Sequence, residues 1–395
     1  MKITENQLID LFAGKVNELQ REPDFQWSED KTTYRTVEGA EPEIEIAVGN
    51  VPLEYDLWKG LKNPAQIGLY PAELEEIWEY YAHQRRDGTD QTGRKTIFQT
   101  PDSFQEAQDR YNRVVLISVM LPFSSKLLKD YNEQTENNSS SHIFSRMYKD
   151  VNMMIDKATS RVAIELVNDD NAVVAMDNNT VEELSTQAIP QTKQGESHGP
   201  CKGGNFPQKS LAVLLGLGQF GVSRLIIRDK MVNNHTERLM GPVRSIIIFD
   251  SDKIIKDGEG GMVYPTDSWR NFLVDLFDFT KPNSNLNDYR YCGYLSSDIS
   301  CGKCRDSCPS GAQKNSTPES EGNYPTNVRE QSHRFWNDKL QFDFAQCCEK
   351  RGQMNQLFPE WSCAHCLSVC ASEGLRRPEA MDNFQAKKEN LLKLG

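Results

Sequence analysis

The sequence predicts a mixed α/β (α+β) fold, in which a layered domain precedes a smaller cysteine-rich domain. Two observations predict it. Between residues 110 and 285, apolar β-branched runs of strand length alternate with helical stretches, as in domains built from layers of helix and sheet. All ten cysteines except Cys201 lie after residue 290, where they form two similar runs.

These observations divide the chain into four segments. Residues 1–110 are an N-terminal region without an assigned function, and residues 111–285 are the layered domain. The cysteine-rich domain follows at 286–375 and a C-terminal tail at 376–395. Large aromatic side chains in the first segment are expected to pack in a core rather than to bind a ligand. These aromatic residues are Trp27, Trp58, Trp78 and Tyr80.

Local patterns predict the elements of the layered domain. The continuous apolar run Val114–Met120 predicts a strand that ends at Pro122. The polar stretch 132–141 predicts a surface loop, and a helix is predicted after it over 144–167. Two further strands are predicted at 172–176 and 245–249.

A glycine motif lies between these predicted strands. Residues 210–215 predict a strand, 216–221 have the spacing Gly-x-Gly-x-x-Gly, and 222–231 predict a helix, which is the order of a dinucleotide-binding unit. However, no acidic residue ends a strand about twenty residues later, because Asp250 is too distant. The motif therefore predicts only a tight turn that brings the backbone close to a large ligand.

The two cysteine runs are the most specific feature of the sequence. Each is a separate cysteine followed by Cys-x-x-Cys-x-x-x-Cys, as in bacterial two-cluster ferredoxins, where the last cysteine of each run ligates the other run's cluster. The pattern predicts two [4Fe–4S] clusters bound crosswise. Their expected ligands are Cys292, Cys301, Cys304 and Cys370 for one cluster, and Cys308, Cys347, Cys363 and Cys366 for the other.

Zinc sites and disulfides account for less of the cysteine pattern. Structural zinc also uses Cys-x-x-Cys pairs, but it does not need a third cysteine four residues after each pair. A disulfide framework suits a small secreted domain rather than a chain of 395 residues. Within the cluster assignment, Cys292 has to reach across a longer loop, because Asp298 stands where a compact run has its first ligand.

The composition limits the partners and the compartment. A formal net charge of −12 disfavours a nucleic-acid partner, because phosphate binding depends on Lys and Arg. The sequence has no apolar stretch of membrane-spanning length and no leading secretory segment. As written, it predicts a soluble cytoplasmic protein, with a removed twin-arginine leader as the other option.

The residues around the glycine motif resemble the corrinoid-binding core shared by reductive dehalogenases and epoxyqueuosine reductases. In both families this core precedes a two-cluster ferredoxin-like segment, as it does here. The matching core segments are Leu211–Gly221, Leu225–Ile227, Gly241–Arg244 and Ser245–Asp250. Within the cysteine-rich segment, the features closer to reductive dehalogenases are Tyr291–Cys292, Cys308–Ala312 and Ser368–Cys370.

The resemblance implies a nitroreductase-like domain that binds cobalamin, a corrinoid, followed by a ferredoxin-like domain. The protein is then an oxidoreductase that reductively cleaves a carbon–halogen bond of a small organohalide. Its electrons come from an external donor, such as ferredoxin, flavodoxin or a membrane quinol system, and a homodimer is one option. The implied corrinoid contacts are Phe144, Gly216, Gly218, Gly221, Gly241 and Arg244.

The resemblance also bears on individual roles. Both families tend to place a ligand four residues after an Asp, so Asp343 favours Cys347 over Cys348. Dehalogenases typically place a catalytic tyrosine before a Ser-Arg-Met-like step, but here that position is Phe144, which cannot donate a proton.

Substitutes for the missing proton donor lie nearby. Tyr148, one helical turn after Phe144, and His198 are the candidates, with Arg244 as the cation that lowers the phenol pKa. Three other functions stay open at this point. They are an epoxyqueuosine-like reductase, a corrinoid reductase or chaperone, and a two-cluster electron carrier.

Overall fold

The structure is a computed structural model of the chain. It describes residues 3, 5–26, 44–52, 78, 103–124, 142–167, 171–176, 208–215, 217–220, 225–232 and 235–251, and single positions at 304, 308, 311, 366, 367 and 370. The helices are α1 (Glu5–Leu19), α2 (Phe104–Arg110), α3 (His142–Glu165) and α4 (Gln208–Leu214). The strands are β1 (Glu45–Pro52), β2 (Arg113–Met120), β3 (Asn171–Met176), β4 (Gln219–Phe220), β5 (Ile226–Val232), β6 (His235–Leu239) and β7 (Val243–Asp250).

A four-stranded antiparallel sheet lies at the centre of the described fold, with the order β1-β2-β7-β3. Every residue of β2 is buried, as is every residue of β7 except the last. Because both faces of these strands are covered, apolar residues occur on both faces of each strand rather than on alternate positions only. Helices packed on this sheet confirm the predicted mixed α/β class, and β2, β3, β7 and α3 confirm the elements predicted at their positions.

The first face of the sheet is covered by α1 and α3. Apolar residues recur along both helices at intervals of three and four, so each helix presents one apolar stripe. Both α1 and β1 come from the N-terminal region, which therefore contributes to the same core as the layered domain. Members of this core include Leu8, Phe12 and Val16 of α1, Val115, Ile117 and Val119 of β2, Val151, Ile155 and Val162 of α3, and Ile246 and Ile248 of β7.

The second face of the sheet is covered by Trp78 and α4. Trp78 is fully buried, and its ring meets Phe249 of β7 edge-on, with the ring centroids 5.0 Å apart. Side chains alternate along a strand, so Phe249 lies on the face opposite to Ile248. Helix α4 packs on the two central strands, β2 and β7. The burial of Trp78 confirms the packing role predicted for it.

The structure corrects the elements predicted around the glycine motif. Residues 208–214 form helix α4 where the sequence analysis predicted a strand, and 226–232 form strand β5 where it predicted a helix. Helical spacing explains the first correction, because the buried Leu211 and Ala212 follow the buried Gln208 by three and four residues. Antiparallel pairing with β6 explains the second, because β5 finds its hydrogen-bond partners there.

Within the described residues, no helix is long and apolar enough to cross a membrane.

A second, three-stranded sheet has the order β4-β5-β6. The main sheet is tied at one end by an ion pair in strand register, in which Arg113 Nε donates to Asp250 Oδ2 over 2.9 Å.

Candidate functional site

Several residues of the predicted site lie outside the part of the chain that the structure describes. The assignments of these residues therefore stay predictions. They are His198, Gly216, Gly221, Cys292, Cys301, Cys347 and Cys363, together with the side chain of Phe144.

Gly218 and Gly241 are described, and protein atoms occupy the space beside each of them. A Cβ atom on Gly218 would lie 2.7 Å from Ile226 Cγ2 and 2.8 Å from the Ile227 carbonyl oxygen. A Cβ atom on Gly241 would lie 2.1 Å from the Leu121 carbonyl oxygen. Close packing against neighbouring protein atoms therefore accounts for both glycines without a ligand.

The end of α4 accounts for another part of the glycine motif. The Leu217 N–H donates to the Ala212 carbonyl over 2.8 Å, which is the six-to-one closure of a Schellman helix end. Glycine is preferred at the residue before such a donor, and that residue is Gly216 in the sequence. The motif thus follows a helix and precedes a hairpin, which reverses the strand–turn–helix order of a dinucleotide-binding unit.

Arg244 is buried in β7 and held by helix α3. Its side chain forms an ion pair with Asp156, in which Nη2 lies 3.2 Å from Oδ2. Nη2 also donates to Asn152 Oδ1 over 3.3 Å, and Nη1 donates to the Val243 carbonyl over 2.9 Å. These contacts pair a buried cation and satisfy most of its hydrogen-bond donors.

Tyr148 lies on α3 and packs against the core on the first face of the sheet. Its ring stacks on Phe123, with the centroids 5.6 Å apart and an angle of 16° between the planes. Asn152 donates from Nδ2 to the Tyr148 main-chain carbonyl over 2.8 Å, and the same Asn152 accepts from Arg244. The connection between Arg244 and Tyr148 therefore runs through Asn152 to the backbone of the helix.

A buried carboxylate near the glycine motif was not foreseen from the sequence. Glu45 of β1 pairs with Arg228 of β5 over 3.0 Å, and Arg228 Nη1 donates to the Leu217 carbonyl over 3.2 Å. Burial raises the pKa of the Glu45 carboxyl, and the charge of Arg228 acts in the opposite direction. Arg228 thereby ties the edge strand of the main sheet to the segment that follows α4.

Two buried serines face each other on the central strands. Ser118 of β2 lies directly opposite Ser245 of β7, and both are 0% exposed. Neither hydroxyl has a hydrogen-bond partner among the described residues, and the same holds for the buried Oε1 of Gln208 in α4. Each such group costs about 1–3 kcal/mol when it is left unpaired, so each of the three requires a physical reason. The sequence signal for Ser118 is that it interrupts an apolar run.

The second cysteine run packs against the core on the first face of the sheet. Cys366 and Cys370 are helical and partly buried, and Leu367 between them is buried as a member of the core that α1 and α3 cover. Cys370 itself packs against this core. The layered domain and at least this part of the cysteine-rich segment therefore share apolar contacts.

The first cysteine run is described at two of its predicted ligands. Cys304 is buried in helical conformation, and Cys308 is partly buried. The Gly311 N–H donates to the Cys308 carbonyl over 3.2 Å, and Gly311 has a φ of 75°, which glycine adopts without strain. This turn redirects the chain directly after the last cysteine of the run.

Each predicted cluster has two of its four ligands among the described positions, Cys304 with Cys370 and Cys308 with Cys366. Accordingly, no group of three metal-ligating side chains occurs in that part of the chain. Thiolates are the usual ligands of iron–sulfur clusters, so the chemistry of the cysteine side chains fits the predicted clusters. Comparisons with family models, with curated proteins and with solved structures found no match for this chain.

Proposed function

We propose that the chain is a corrinoid-dependent iron–sulfur oxidoreductase that resembles reductive dehalogenases and cleaves a carbon–halogen bond of a small organohalide. Electrons from an external donor pass through two [4Fe–4S] clusters into the layered, nitroreductase-like domain. One observation carries the proposal. The second cysteine run packs, through Leu367 and Cys370, on the core of the layered domain.

That packing suggests where electrons would pass from the clusters to the layered domain. Cys370 and Tyr148 both pack against the same core, so a cluster ligated by Cys370 would pass its electrons into the layered domain near Tyr148. A bound corrinoid supplies the cobalt chemistry, and the protein supplies orientation, exclusion of water and a proton donor. Tyr148 is the described residue best suited to donate that proton.

A specific observation favours a second function, a two-cluster electron carrier. Gly218, Gly241 and Arg244, which the resemblance assigns to the corrinoid, each have protein atoms as neighbours in the structure. Those three residues are therefore explained by folding alone. Metal content distinguishes the two functions, because only the reductase binds cobalt.

We expect the anaerobically reconstituted protein to contain about eight iron atoms and about one cobalt atom per chain. Cys370→Ser should remove about half of the iron, because each cubane cluster needs its thiolate ligands. The measurement is iron and cobalt analysis together with EPR spectra of the reduced protein. Cys201→Ser is the matched control, since Cys201 lies outside both runs, and it should keep all the metal.

The EPR spectra also test the crosswise arrangement. Cys304→Ser and Cys370→Ser should remove the same cluster signal, whereas Cys308→Ser and Cys366→Ser should remove the other. Loss of one common signal in Cys366→Ser and Cys370→Ser would contradict crosswise ligation. Iron without cobalt would contradict the reductase and support the electron carrier.

Tyr148→Phe is expected to lower the turnover of an organohalide by about a hundredfold, in the range that general acids contribute. Phenylalanine keeps the ring stacked on Phe123, so the substitution removes the hydroxyl and little else. Turnover is measured under anaerobic conditions with an artificial reductant, alongside iron and cobalt contents. Tyr111→Phe is the control, because Tyr111 lies beside Trp78 on the other face of the sheet. Equal turnover in both variants rules out Tyr148 as the proton donor.

A further inference from the structure

Leu367 brings the second cysteine run into the core of the layered domain. Its side chain is 3% exposed and belongs to the core that also includes Leu8 and Phe12 of α1 and Val151 of α3. The residues at positions 366, 367 and 370 are helical, and residues three apart share one face of a helix. Leu367 and Cys370 therefore turn toward the same core, and both pack against it.

This turn carries one predicted ligand of each cluster. Cys366 directly precedes Leu367 and is expected to share a cluster with Cys308, whereas Cys370 is expected to share the other cluster with Cys304. The two ligands are separated by about one helical turn, a rise of roughly 6 Å. A shift of Leu367 in the core therefore moves a ligand of both clusters at once.

The burial of Leu367 couples cluster binding to the packing of the layered domain. Ligands that are already ordered bind a metal centre more tightly than ligands on a loose chain, so a buried anchor between them favours binding. By linkage, a bound cluster then stabilises the core that holds the anchor. Leu166, which directly follows α3, offers a comparison, because it belongs to the same core and is also 3% exposed. It lies far along the chain from every predicted cluster ligand, so its burial orders none of them.

We propose that Leu367 is a positioning residue that anchors both iron–sulfur clusters on the layered domain. This inference rests on the proposed function, in which the two cysteine runs hold [4Fe–4S] clusters that pass electrons into that domain. Leu367 touches no metal, and it acts through the ligands on either side of it, Cys366 and Cys370. Its effect therefore extends to both clusters, whereas each cysteine of the two runs ligates only one.

The test measures how fast the anaerobically reconstituted protein releases iron to a chelator, with the EPR signal of each cluster followed in reduced samples. Leu367→Ala should speed the loss of both signals about tenfold, because it removes the buried part of the anchor. Leu367→Met fills nearly the same volume and should keep the wild-type rate. Leu166→Ala is the matched control, since the residue type, exposure and core are the same. It should lower the thermal midpoint of unfolding and leave the rate of iron release close to that of the wild type.

Thermal unfolding with and without clusters gives a second readout. Cluster loading should raise the midpoint equally in the wild type and in Leu166→Ala, and by less in Leu367→Ala. If the wild type holds its iron and Leu367→Ala releases it at the same rate, or loses only one signal faster, the anchor is wrong and the proposed function stands. Equally fast release from Leu166→Ala and Leu367→Ala would mean that any loosening of the core frees the clusters, which also contradicts the anchor. If the wild type takes up no iron, the proposed function fails and the anchor fails with it.

Discussion

Gly241→Ala is expected to lower the free energy of unfolding by about 3 kcal/mol or more. The added Cβ atom would lie 2.1 Å from the Leu121 carbonyl oxygen and 3.0 Å from Pro122 Cα, both of which are backbone atoms. The two segments cannot separate easily, because Phe123 N–H donates to the Met240 carbonyl over 2.8 Å. Urea unfolding followed by circular dichroism measures the change.

Gly14→Ala is the matched control for that prediction. Gly14 lies within α1, and a Cβ atom there has no neighbouring atom within 4 Å. Alanine in a helix interior is favoured over glycine, so this variant should be up to about 1 kcal/mol more stable than the wild type. Similar stability of the two variants would show that residues 121–123 and 240–242 do not pack as closely as described.

Asp156→Ala is expected to cost about 3 kcal/mol of stability, because it leaves the guanidinium of Arg244 buried without its counter-ion. Arg244 is 7% exposed, and its ion pair with Asp156 joins strand β7 to helix α3. The same substitution loosens the helix that carries Tyr148, so turnover should fall with stability. Urea unfolding and anaerobic turnover are the two measurements.

Glu165→Ala provides the comparison for the buried pair. Glu165 also lies in α3 and pairs with Lys15 over 3.1 Å, but its side chain is 53% exposed. Exposed ion pairs contribute about 0–1 kcal/mol, so this variant should stay close to the wild type. If both variants lose the same small amount, the Arg244–Asp156 pair does not hold α3 on the sheet.

The described residues that the resemblance assigns to the corrinoid give little support for a bound corrinoid. Gly218 and Gly241 are required by contacts with Ile226 and Leu121, and Arg244 is engaged by Asp156. The feature that folding contacts leave unexplained is the pair of buried hydroxyls of Ser118 and Ser245, which have no hydrogen-bond partner among the described residues and which the sequence analysis did not single out. Buried polar groups without partners are rare, so these hydroxyls require a physical reason that the glycines do not.

Three of the four strands of the main sheet, β2, β3 and β7, could be predicted because their signal is local, whereas β1 was not predicted. A strand buried on both faces has a continuous apolar sequence, and Val114–Met120 and Ser245–Phe249 show that pattern without reference to the rest of the chain. The long helix after the polar stretch 132–141 was predicted for a similar reason. The glycine motif misled the prediction, because the same spacing serves a helix end and a tight backbone contact.

The sequence by itself determined the mixed fold class, three of the four strands of the main sheet, the long helix α3, and the spacing of the two cysteine runs. These properties depend on residues close together in the chain, where periodicity and ligand spacing are visible. Only the tertiary structure decided that Arg244 pairs with Asp156, that Ser118 faces Ser245, and that the second cysteine run packs on the core. The physical reason is that these contacts join distant segments, and strand register and helix packing select such partners when the whole chain folds.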